Sequence, residues 1–125
     1  MSRLELDHVL IAVDDLAEAA KEVEQRLGLR SVEGGRHPGW GTANRIVPLG
    51  TSYLELIAVV EPTELDASPF GAWVADAVSD GRRLLGWAAR TDDLDGVAAR
   101  LGLTILSGSR RAPDGALGWS AGGTA

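Results

Sequence analysis

The hydrophobic pattern changes period along the first sixty residues. Val9, Ile11 and Val13 recur at every second position, with Leu6, His8, Leu10 and Ala12 on the opposite parity; a two-residue period marks a strand. From Leu16 the apolar residues are Leu16, Ala19, Ala20, Val23 and Leu27, one stripe at helical spacing. Asp14-Asp15 stands where that helix begins, so Asp15 can cap it and favour its positive end. Gly28 stands where the helix needs a left-handed terminator. After the loop Arg36-His37-Pro38-Gly39-Trp40-Gly41, residues 43–49 and 52–60 read as two strands around Gly50-Thr51, a hairpin. The predicted order over residues 4–60 is strand, helix, then three strands.

The same order begins again near residue 84. Thr91-Asp92-Asp93-Leu94 repeats Val13-Asp14-Asp15-Leu16, and each is followed by a helical pattern ending in Leu-Gly-Leu, at Leu27-Gly28-Leu29 and Leu101-Gly102-Leu103. From Asp14 to Leu27 is 13 positions and from Asp92 to Leu101 is 9, so the second helix is shorter by about one turn and keeps its apolar face. The copies then realign without gaps: Gly34 matches Gly108 and Arg36 matches Arg110. Between them, over residues 61–83, Ser68-Pro69 starts a further helix with Phe70, Trp73, Val74, Ala77 and Val78 on one face, ending at Gly81. This linking helix docks on the domain or covers a site. The second copy spans residues 84–120. The tail Ala121-Gly122-Gly123-Thr124-Ala125 lacks strand character, and the chain stops near the copy's third strand. The sequence therefore predicts one α+β domain over residues 1–125, with a truncated second half.

Composition narrows the function. The 125 residues are 45% hydrophobic and 24% charged, ordinary for a globular domain. There is no cysteine, and hence no disulfide, thiolate metal site or cysteine nucleophile. The net charge of −6 argues against nucleic acid, whose backbone calls for a basic face. No apolar run is long enough to span a membrane, and Met1-Ser2-Arg3 leads straight into alternating residues without a signal-peptide block. A cytoplasmic location follows as an expectation. Phosphate loops, dinucleotide fingerprints and serine nucleophile motifs are missing from the sequence.

Three polar residues interrupt the apolar pattern. Glu55 shares a strand face with Tyr53 and Ile57. A buried carboxylate is costly unless paired or metal-bound, so Glu55 either faces solvent from a half-wet sheet or serves chemistry. His8, near the start of the first strand, is either a hydrogen-bonded structural residue or, with Glu55, half of a divalent metal site. His37, in its glycine-rich loop, reads as a general base, a substrate contact or an exposed turn residue. Trp40 and Tyr53 are candidates to line a pocket. Trp87 aligns with Val9 and is assigned to the helix-side core.

Leu6-Asp7-His8-Val9, Asp14-Asp15-Leu16, His37-Pro38-Gly39-Trp40-Gly41-Thr42-Ala43-Asn44 and Tyr53-Leu54-Glu55-Leu56-Ile57 together resemble the vicinal oxygen chelate superfamily, in its glyoxalase-like branch. The resemblance covers residues 4–60 well and 84–120 more loosely. It implies paired βαβββ modules forming a cupped mixed sheet with helices outside, and metal ligands on the first and fourth strands of each module. His8 and Glu55 match the first-module positions, with Glu55 as ligand or base. The catalytic candidates are Glu55 and His37, and the candidate substrate contacts are Trp40, Asn44 and Tyr53. The position matching His8 in the second module is Gly86, which has no side chain, and the strand for the last ligand is missing. A complete metal set is not expected from one chain. The resemblance leaves two readings: a metal-dependent lyase, isomerase or dioxygenase on a small oxygenated substrate, or a metal-free cup that sequesters a small molecule as bleomycin-resistance proteins do. The half-built second module leaves an open sheet edge, so a homodimer is expected, completed or covered by a partner chain.

Overall fold

The computed structural model describes the backbone of residues 3–112 and 115–122. The first module is β1 (Leu4–Ala12), α1 (Leu16–Leu27), β2 (Val32–His37), β3 (Thr42–Leu49) and β4 (Ser52–Val59). A 3-10 turn over Pro62–Ala67 leads into the linking helix α2 (Pro69–Ser79). The second module follows as β5 (Leu84–Thr91), α3 (Leu94–Leu101), β6 (Ile105–Ala112) and β7 (Gly115–Gly122). Ala121 and Gly122 thus belong to a strand, correcting the reading of a structureless tail there; residues 123–125 lie outside the described residues. No helix among the described residues is long and apolar enough to cross a membrane.

The two repeated helices are built by the same local chemistry. The Asp15 carboxylate accepts the Glu18 N–H at 2.9 Å, and Asp93 accepts the Gly96 N–H at 3.0 Å, each satisfying a first-turn donor without an intrahelical partner. Both helices end on a left-handed glycine, Gly28 and Gly102, each at φ 68°. In α2, Ser68 caps and Pro69 opens the first turn. Gly71 is required there, because a Cβ would collide with the Trp40 carbonyl; the helix meets the β2–β3 loop backbone to backbone.

The strands form one mixed α+β sheet in the order β5-β1-β4-β3-β2-β6-β7, and it does not close. Among the described residues only β1 and β4 pair in parallel; β5 lies antiparallel to β1, one of two seams between the modules. The hairpin of β6 and β7 meets β2 at Arg36 opposite Arg111. Alternation along the strands separates two cores. On the outer face Val13, Ala19, Val47, Leu56 and Ala58 pack with Ile11, Leu16, Val23 and Leu29. On the inner face Leu10, Ala12, Ile57 and Leu85 pack beneath Phe70, Val74 and Ala77 of α2. The linking helix therefore docks on the sheet.

Two residues fall outside the expected cores. Leu27 is 61% exposed; the buried stripe of α1 ends at Val23, and Leu29 in the following loop packs on the cluster instead. Trp87, assigned to the helix-side core by its equivalence to Val9, pairs with Val9 across the strands but is 71% exposed. Among the described residues the outer-face helices pack chiefly elsewhere, α1 on β3 and β4 and α3 on β7, leaving Trp87 uncovered on β5. Core membership needs a covering element as well as the right parity. Leu56→Ala is expected to cost about 2–5 kcal/mol in urea unfolding, and Leu27→Ala less than about 0.5 kcal/mol. Equal losses would contradict the placing of Leu27 outside the core.

Candidate functional site

The parallel pairing of β1 and β4 sets His8 opposite Tyr53, Leu10 opposite Glu55 and Ala12 opposite Ile57, and paired residues share a face. His8 and Glu55 become diagonal neighbours on the inner face. His8 Nε2 stands 3.6 Å from Glu55 Oε1, an ion-pair separation rather than a hydrogen bond. Glu55 is only 8% exposed, so the half-wet strand reading is overturned. The Tyr53 ring stacks on the His8 imidazole, with centroids 4.6 Å apart and planes at 10°.

The other side of His8 is held as well. Asp7 Oδ2 lies 2.7 Å from His8 Nδ1. The second Asp7 oxygen accepts from Arg90 Nη1 at 3.1 Å; that guanidinium also donates to Glu5 Oε2 at 3.0 Å and to the Thr51 carbonyl at 2.8 Å. Partial burial pushes the Asp7 carboxyl up, but the His8 and Arg90 hydrogen bonds and charges outweigh it and hold the carboxyl below its ordinary value. The Asp7 hydrogen bond, then that of Glu5, holds Arg90 more firmly charged.

The remaining expected site residues lie further along the inner face. Asn44 is buried, and its Oδ1 accepts the Gly35 N–H at 2.8 Å. The β2–β3 register slips between Glu33 and Arg36, and the Asn44 side chain fills the notch where a Cβ on Gly34 would collide with it. His37 ends β2, 5% exposed, with Nδ1 at 2.7 Å from Thr42 Oγ1; it is a buried residue, not an exposed turn. It pairs with Thr42, which faces Val59, placing it two strands across from Glu55 and roughly 13 Å further along. Trp40 packs on Phe70 at 4.9 Å between centroids. Tyr53 is thus brought to the His8–Glu55 pair, whereas His37 and Trp40 gather at the α2 end.

At the second-module position, Gly86 is covered by Trp73. A Cβ built there would meet the indole at 3.3 Å. His8 Nε2 and Glu55 Oε1 are close enough for one ion, since two ligands at about 2.1 Å span at most about 4 Å. Two protein groups still fall short of the three of a catalytic metal site, and no cluster of three or more His, Cys, Asp or Glu residues forms among the described residues. The described residues alone do not fit a complete metal centre.

With this geometry, a family model for the glyoxalase-like domain matches residues 6–122. The chain belongs to the glyoxalase-like domain family. No curated protein matches its sequence. Among solved structures, methylmalonyl-CoA epimerase from Mycobacterium tuberculosis superposes with TM-score 0.63 at 24% identity, covering 93% of this chain and 77% of that one. A Streptomyces coelicolor methylmalonyl-CoA epimerase in complex with 2-nitronate-propionyl-CoA gives TM-score 0.64 at 21% identity, covering 84% of each chain. A hypothetical protein from Staphylococcus aureus gives 0.65 at 19% identity; this chain covers 51% of its length, with 94% of this chain aligned. These likenesses establish the vicinal oxygen chelate type of fold.

Asp7, Arg90 and Trp73 carry no chemical role in the sequence reading. Asp7 stands beside His8 in the chain, but adjacent strand residues normally face opposite ways, and Arg90 is distant in sequence. Gly86→His is expected to cost about 1–3 kcal/mol by crowding Trp73, with a smaller cost in the Trp73→Ala background, measured as a double-mutant cycle. Additive effects would show that the indole does not occupy that space. For Asp7, a lowered folded pKa means a contribution present above the unfolded pKa and lost as pH falls through the folded one. Asp7→Asn should therefore flatten the acid limb of thermal stability in the range below its ordinary carboxylate value of 3.8; an unchanged acid limb would contradict the assignment.

Proposed function

We propose that this glyoxalase-like domain performs acid–base chemistry of isomerase or lyase type on a small oxygenated substrate, with Glu55 removing the proton from carbon beside a carbonyl. The observation that carries this reading is the buried Glu55 carboxylate held beside His8 on the inner face. Burial disfavours the carboxylate charge, and a base freed from water is better matched to a weak carbon acid. As the proton moves to Glu55, charge develops on the substrate oxygen, and a protonated His8 is a cation beside that position. Tyr53 closes one side of the imidazole. His37, Asn44 and Trp40 enter as contacts for the remainder of the substrate, not as proton carriers at Glu55. A divalent ion belongs to this reading only with ligands beyond the described residues. Small acyl thioesters are a reasonable first substrate class, because two fold neighbours are methylmalonyl-CoA epimerases.

The metal-free binding reading has its own support. Trp73 over Gly86, with Phe70 and Trp40 beside it, gives the α2 end an aromatic surface suited to an apolar ligand. Association into dimers is supported by β5, an end strand of the sheet with Leu84 and Trp87 exposed.

Solvent deuterium uptake beside the carbonyl, followed by NMR, separates the two activities. The panel would hold small 2-substituted acyl thioesters and 2-oxo aldehydes, with and without divalent ions. Exchange is expected with the wild-type chain, slowed about 10²–10⁴-fold by Glu55→Gln. Exchange unaffected by that substitution would remove Glu55 from the chemistry. If no compound exchanges, while tryptophan fluorescence still reports saturable binding, the binding reading stands instead.

A further inference from the structure

The contact between Asp7 and His8 depends on an irregularity in β1. Leu6 pairs with Ala89 and His8 with Ala88, so two steps along β1 match one step along β5, and Asp7 is the extra residue of a bulge. In a regular strand Asp7 and His8 would point to opposite faces; a bulge re-aims a side chain. It also breaks the alternation that groups Leu6 with His8, and Leu6 is half-exposed. The ionised Asp7 carboxylate accepts and cannot donate, so at 2.7 Å the proton belongs on His8 Nδ1, whether the imidazole is neutral or charged. Nε2 is then the edge presented to Glu55.

Arg90 keeps the carboxylate in that position. It binds Asp7 Oδ1 while His8 takes Oδ2, and it is itself tied to Glu5 and Thr51. Arg90 lies on β5, in the second module. We propose that Asp7 is the positioning residue for His8, and that Arg90 sets it from across the module junction, so that docking of the second module aligns the reacting edge of a site whose own residues all lie in the first. The second module thereby contributes orientation at the place where Gly86 contributes no ligand. The geometry stands without the acid–base reading; only its consequence for activity rests on that reading.

The test is the tautomer of His8 in the full chain. His8 and His37 are the two histidines of the sequence, so long-range 1H–15N spectra of histidine-labelled protein resolve both, with His37 as an internal monitor of folding. Above the imidazole titration, the wild type is expected to hold His8 in the Nδ1–H form. Asp7→Ala should admit the Nε2–H form, Asp7→Asn should restore Nδ1–H because its amide oxygen still accepts, and Arg90→Met should move the His8 signals while leaving those of His37 in place. A wild-type His8 in the Nε2–H form, or His8 signals indifferent to Asp7→Ala, would overturn the proposal. Should Asp7→Ala fail to fold, an Arg90→Met protein with unmoved His8 signals overturns it equally. In an active protein, Arg90→Met should lower turnover by about 10-fold or more, the scale of lost orienting partners. A protein without exchange activity but with the Nδ1–H tautomer overturns the acid–base reading and leaves this one intact.

Discussion

A carboxylate in the middle of an apolar strand is a cost that the surrounding structure must offset, and the inner face of this sheet is arranged around that cost at Glu55. The parallel pairing of β1 with β4 brings an imidazole alongside it. The imidazole is in turn held on its far edge by Asp7 and over its plane by Tyr53. Asp7 is held by Arg90, which reaches back to the β3–β4 turn through Thr51. Polar groups on three strands and one turn are thus linked in one path; low dielectric strengthens the buried His8–Glu55 end, whereas the Arg90 end is exposed and screened.

The two modules share a pattern and have diverged in what they contribute. Both helices use an aspartate cap and a left-handed glycine, and the two first strands pair with each other. On the first module that strand carries His8. On the second it carries Gly86, and the linking helix lays Trp73 across the vacated position. The inner face consequently has a polar side, at His8 and Glu55, and an aromatic side, at Trp73, Phe70 and Trp40. Such a division suits a ligand with an oxygenated end and an apolar end, and function in this fold is a matter of those side chains rather than of the architecture.

Much of the local structure was legible in the residues themselves. Period-two and helical spacing marked the strands and helices, Asp15, Asp93 and Ser68 marked where helices begin, and Gly28 and Gly102 where they end, because these signals act within one or two turns of chain. Strand parity also grouped His8 with Leu10 and Ala12, and Glu55 with Tyr53 and Ile57. Trp87 shows where such reasoning stops: its equivalence to Val9 in the repeat was readable, but whether a helix covers it depends on where α1 and α3 come to rest.

The sequence by itself therefore determined the repeated strand–helix order and the helix caps, since each follows from neighbours a few residues away. Only the tertiary structure decided that Glu55 is buried, that Asn44 fills a bulge beside Gly34 and Gly35, and that His37 lies far from Glu55 along the sheet. It also decided that Asp7 turns toward His8 and is gripped by Arg90, which stands 83 residues away in sequence. Those outcomes depend on register shifts between strands and on which surfaces dock together, and no local pattern of side chains encodes where a strand slips by one residue.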